Sequence, residues 1–161
     1  MAIDRLDLLY IVLSRLEASL LAGDALSRRT LQDMVYIAQA WGLPLGYEFS
    51  YSLKGPYSND LVPDILAIQQ RKGTFERRTR GLKLRPEAEE QLTALVAFMD
   101  ELMEDRRRLH MVASIMYLSV RYKMDRREII EYFTRFTPEY FPFEIADVVD
   151  QVNSGTRVKI R

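Results

Sequence analysis

The chain has 161 residues, long enough for one hydrophobic core and short for two, so a single domain over residues 1–161 is the expectation. A composition 48% hydrophobic and 29% charged excludes a disordered or fibrous protein, and the absence of cysteine excludes disulfides, thiolate metal sites and thiol catalysis. Net charge is zero, so uniform electrostatic attraction to nucleic acid is excluded as well, and any such binding must come from local segregation of charge.

Leu6, Leu9, Tyr10, Leu13, Leu16 and Leu20 recur at helical spacing before Gly23, which predicts a first amphipathic helix over Asp4 to Leu21. Asp4, Asp7 and Glu17 interrupt that stretch, so it reads as neither a membrane span nor a signal-peptide core, and a cytoplasmic protein without membrane contact is expected. Ser27 offers an N-cap to a second helix with inner face Leu31, Met34, Val35 and Ala38, stopping at Gly42 before Pro44. Tyr47 to Leu53 alternates with period two and predicts a strand closed by Gly55-Pro56.

Asp60 then caps a third helix with Pro63 in its first turn, and Gly73 ends it. Thr74-Phe75-Glu76 and Leu82-Lys83-Leu84 flank the turn signal Thr79-Arg80-Gly81 and predict a basic hairpin. Pro86 opens a long apolar-periodic region to Val120, as one helix or two, since neither Gly nor Pro interrupts the chain from Glu87 to Thr137. Asp125 and Glu128 stand at capping-box spacing before a further helix, Pro138 and Pro142 bracket an aromatic loop, and Ile145 to Val152 form a last helix followed by a loose tail, Thr156 to Arg161. The fold class is therefore mainly α with a small β element.

Charge is distributed in blocks. Arg71, Lys72, Arg77, Arg78, Arg80, Lys83 and Arg85 face one acid, Glu76, whereas the charged residues from Glu87 to Asp105 are all acidic. The order helix, helix, strand, helix, basic hairpin, long helix approaches a winged-helix module extended by C-terminal helices, in which the hairpin would meet phosphates and release counterions. A solvated surface hairpin, or one neutralised by Glu87, Glu89 and Glu90, accounts for the same residues.

Leu31, Gln32, Tyr36 and Gln39, then Gly42, Phe49 and the turn Lys54-Gly55-Pro56-Tyr57-Ser58, stand in an order and spacing that resembles the Panacea-type antitoxin domain and the YwgA-like proteins. The likeness covers about a fifth of the chain and extends weakly to Leu109–Leu118. Asp33 departs from it, since such families usually place lysine there. The resemblance implies a compact, helix-rich, winged-helix-like module that acts by interaction, linked to phage or mobile elements, toxin neutralisation or proteolytic adaptor work, with no catalytic activity. A toxin or a chaperone or protease is then the alternative partner to nucleic acid, with Lys54, Gly55, Pro56, Tyr57 and Ser58 as the contact turn. Shaping of the turn by Gly55-Pro56, with Tyr57 packed, explains the same residues without a partner.

Catalytic, cofactor and metal sites find little support. His110 is the only histidine and sits between Leu109 and Met111, a packed position. No glycine-rich phosphate loop occurs, and Asp64 with Glu76-Arg77-Arg78 only loosely matches a metal-dependent nuclease, with arginine in the lysine place. Tyr132, Phe133, Phe136, Tyr140, Phe141 and Phe143 are spaced irregularly and suit either core or a helix-binding patch.

Overall fold

The structure is a computed structural model that describes residues 3–16 and 25–161. The elements run α1 (Arg5–Arg15), α2 (Ala25–Trp41), β1 (Ser50–Ser52), β2 (Gly55–Tyr57), α3 (Leu61–Gln70), α4 (Lys72–Arg80), α5 (Pro86–Met99), a 3₁₀ turn (Leu102–Glu104), α6 (Arg106–Tyr122), α7 (Arg126–Phe136) and α8 (Pro142–Gly155). The protein is mainly helical with one small antiparallel sheet. The part of the first predicted helix beyond Leu16, and its stop at Gly23, lie outside the described residues.

The arrangement follows from the burial pattern. From Met111 to Ser119 every residue of α6 is buried, so this helix has no solvent face there and must be surrounded. It packs most extensively on α2, whose Leu31, Met34, Val35, Ile37 and Ala38 are buried, and is covered elsewhere by α7, α8 and β2. Asp105 starts it by accepting a hydrogen bond from the Arg108 N–H at 3.0 Å, which separates α6 from α5 and resolves the Glu87–Thr137 region into successive helices. It ends at Lys123, whose left-handed φ of 58° lets its N–H bond back to the carbonyls of the last turn. The Asp125–Glu128 capping box forms as expected, and Pro86 and Pro142 open α5 and α8.

Several expectations are corrected. Ser27 lies inside α2 rather than capping it, and Asp60 precedes α3 without a side-chain cap bond. The predicted strand Tyr47–Leu53 shortens to Ser50–Ser52, and Gly55-Pro56, read as its closure, belongs to the partner strand, with Tyr51 opposite Pro56. The largest correction concerns the basic hairpin: Lys72–Arg80 is helix α4, and Gly73 lies within it instead of ending α3. Phe75 anchors α4 by stacking on Tyr10 at 6.1 Å, and Glu76 and Arg80 pair at helical i,i+4 spacing, 3.6 Å apart. Thr79-Arg80-Gly81, which reads as a hairpin turn, is therefore the C-terminal end of a helix. The tail is not loose either. The Asn153 side-chain amide bonds both the N–H and the C=O of Ile160, at 2.6 and 2.9 Å, and Ile160 is buried.

Candidate functional site

Two surfaces carry the residues singled out by the sequence. On the first, Arg71 joins α3 to α4, Lys72, Arg77, Arg78 and Arg80 ride on α4, and Lys83 and Arg85 lie in the extended segment before α5; all seven are exposed. Arg78 is committed internally. Its Nε and one terminal nitrogen donate to the same oxygen of buried Asp7 at 2.9 and 2.7 Å, and its guanidinium lies 4.9 Å from the Phe75 ring. The Asp7 hydrogen bonds raise the Arg78 pKa above its ordinary value. Arg80 pairs with Glu76, while Arg71, Lys72, Arg77, Lys83 and Arg85 make no ion pair among the described residues. Of the acids that begin α5, Glu89 turns to Arg15 at 2.6 Å, and neither Glu87 nor Glu90 pairs with the basic block. Lys72 and Arg77 of α4, with Arg71, Lys83 and Arg85 on its flanks, thus remain without a direct carboxylate contact among the described residues. An open cavity of 480 Å³, bordered by Tyr10, Arg15, Thr79, Leu82 and Lys83, indents this face where α1 meets the segment after α4.

The second surface is the turn Lys54–Ser58. Gly55, Pro56 and Ser58 are buried and Tyr57 is half-buried, so Lys54 is the exposed side chain of the five. The turn is held from below by α2. Arg29 donates to the carbonyls of Lys54, at 3.0 Å, and Pro56. Gln32 accepts from the Ser58 N–H at 2.8 Å and donates to its C=O at 3.0 Å, and Gln39 does the same for Tyr47 at 2.9 and 2.6 Å. A strand would ordinarily supply these bonds; here two amide side chains imitate one. Tyr36 and Phe49 meet edge to face at 5.2 Å, and burial pushes the Tyr36 hydroxyl pKa up. Gln32, Tyr36 and Gln39 of α2 therefore build and fasten the Leu43–Ser58 segment. Replacing Gln39 by leucine is expected to lower stability by about 2 kcal/mol in urea denaturation, because the Tyr47 amide and carbonyl lose their partners.

At the centre of this support lies a cluster the sequence reading missed. Asp33 is 1% exposed and carries its carboxylate between Arg29, at 2.8 Å, and His110 Nδ1, at 2.9 and 3.1 Å. His110 in turn lies directly under Gly55: a Cβ added there would stand 2.4 Å from its Cε1. A lysine at position 33 would set a second cationic side chain against Arg29 and leave both it and the His110 ring without the carboxylate they share. The spacing of Arg29 and Asp33, i to i+4 with Asp33 on the apolar stripe, was the available signal. Arg29 Nε and Ser58 Oγ are buried without a hydrogen-bond partner.

The nuclease-like residues are otherwise engaged. Asp64 accepts from the Tyr47 hydroxyl at 2.6 Å and from Arg5 at 3.0 Å, while Glu76 serves Arg80. Among the described residues no three His, Asp or Glu side chains are grouped so as to hold a metal ion, and no helix is long and apolar enough to cross a membrane. The aromatic C-terminal residues divide: Phe133 and Tyr140 are buried, whereas Phe141 and Phe143 are 61% and 75% exposed and stack at 5.8 Å. No family model, curated protein or solved structure matches the chain.

Proposed function

We propose that the protein is a non-enzymatic, cytoplasmic regulatory binding protein that contacts nucleic acid through the basic face of α4. The observation that carries this reading is the set of exposed cations, Arg71, Lys72, Arg77, Lys83 and Arg85, that no carboxylate of the described chain engages. In a winged-helix-like reading, α3 and α4, separated by the single residue Arg71, take the part of the helix pair, and the ribbon β1–β2 precedes them. Phosphate contacts then come from a helix and its flanks instead of a wing.

Fluorescence anisotropy on duplex DNA and RNA tests it. Affinity is expected to fall steeply with salt, with a log–log slope of roughly −4 if all these cations meet phosphates, and to be lost on combining Arg71→Glu, Lys72→Glu and Arg77→Glu. Absence of salt-sensitive affinity in the intact protein overturns the reading. A second reading, an antitoxin or proteolytic adaptor that binds a toxin, chaperone or protease, is favoured by the exposed Phe141–Phe143 stack. It predicts a co-purifying partner that is lost on Phe141→Ala with Phe143→Ala, and Lys54 and Tyr57 remain the parts of the turn able to join such a contact.

A further inference from the structure

On a different part of the surface, the C-terminal end of α6 and residues 157–161 enclose a groove of 560 Å³. Lys123, Arg157, Lys159 and Arg161 line it, with Asp125 as the one acidic side chain. That carboxylate is already used, accepting from the Glu128 N–H at 2.9 Å. Lys159 is fixed by the carbonyls of Asn153, at 2.6 Å, and Thr156, at 3.2 Å. Lys123, Arg157 and Arg161 make no ion pair among the described residues. The backbone that presents these cations is held in place, since Asn153 grips Ile160 and the Arg126 N–H donates to the Arg161 carbonyl at 2.6 Å. Between the charges the groove is apolar, with Ala40, Val120, Met124 and Val158, and it contains no aromatic ring.

We propose that this groove binds an acidic segment of a partner protein, one in which carboxylates alternate with aliphatic side chains. The carboxylates meet the cationic rim while the aliphatic groups cover the apolar floor, the complementarity that sets register at a polar-rimmed interface. A single-stranded nucleic acid fits less well, because the groove offers its bases no aromatic ring to stack on, and the aliphatic floor gives a phosphate backbone nothing to meet. The proposal stands independently of the α4 face.

The test uses a fluorescein-labelled peptide alternating glutamate with valine, titrated by the full chain and read by anisotropy. Saturable, salt-sensitive binding is expected. The combined variant Lys123→Asn, Arg157→Glu, Arg161→Glu is expected to weaken it about tenfold or more, whereas Arg71→Glu with Arg77→Glu leaves it unchanged. Asparagine tolerates the left-handed backbone at position 123, and circular dichroism confirms that each variant folds. The proposal is overturned if the peptide does not bind saturably, if its glutamine counterpart binds equally, or if the groove variant retains full affinity. It is equally overturned if single-stranded oligothymidylate binds in a manner sensitive to the groove variant and the peptide does not.

Discussion

Changing Asp33 to alanine is expected to lower stability by about 2–3 kcal/mol, below the cost of breaking a fully buried ion pair because Arg29 and His110 keep some contact with solvent. Arg29 and His110 both direct nitrogens at this carboxylate, and Arg29 simultaneously holds the carbonyls of Lys54 and Pro56. Without the anion the half-buried guanidinium is left with only neutral acceptors, so the β1–β2 turn loosens together with α2. Urea denaturation followed by circular dichroism measures the loss. Adding Arg29→Met to Asp33→Ala is expected to recover part of it, since deleting both charges is less costly than stranding one. A loss below about 1 kcal/mol for Asp33→Ala alone would show that the cluster contributes little.

Gly55→Ala is expected to cost about 4 kcal/mol, from two sources that a double-mutant cycle separates. The backbone at Gly55 has φ of 104°, where a side chain is strained whatever surrounds it, and the new methyl would be driven into the His110 ring. His110→Ala removes the second source and leaves the first. The combined variant should therefore be less destabilised than the sum of the single changes by about 1–2 kcal/mol; strict additivity would mean that the ring already moves aside.

Helix periodicity made most of the fold legible. The inner faces of α1, α2, α5 and α8 are the apolar stripes that the sequence displays, and the Asp125–Glu128 box starts α7 where its spacing says it should. Misreading was concentrated where local signals are shared between structures. Phe75 and Leu82 around Thr79-Arg80-Gly81 look like short strands about a turn, but Phe75 stacked on Tyr10 and Arg78 bonded to Asp7 dock one face of a nine-residue helix on α1, and Gly serves a helix end as readily as a hairpin. Gly55-Pro56 was legible as a turn and illegible as a strand, because its pairing depends on the close fit over His110, a residue 55 positions away in the chain.

The candidate sites divide along the same line. The exposed cations could be enumerated from sequence, since charge runs are local, but their placement on a helix and their distance from the acids of α5 are tertiary facts. The Asp33 cluster joins α2, α6 and the β1–β2 turn, and the groove beside Lys123 joins α6 to the tail, so neither is written in any one stretch of the sequence.

The two glutamine side chains that flank the β1–β2 ribbon give the region a modular character. Gln39 secures one end of the Tyr47–Ser58 stretch and Gln32 the other, Arg29 holds Lys54 and Pro56 between them, and Leu53, 65% exposed at the tip, bears none of that burden. Such an arrangement behaves as a cassette with a narrow opening: a short epitope spliced beside Leu53 would be carried on a fastened base, provided that Lys54, Gly55 and Pro56 keep their seat on Arg29 and His110.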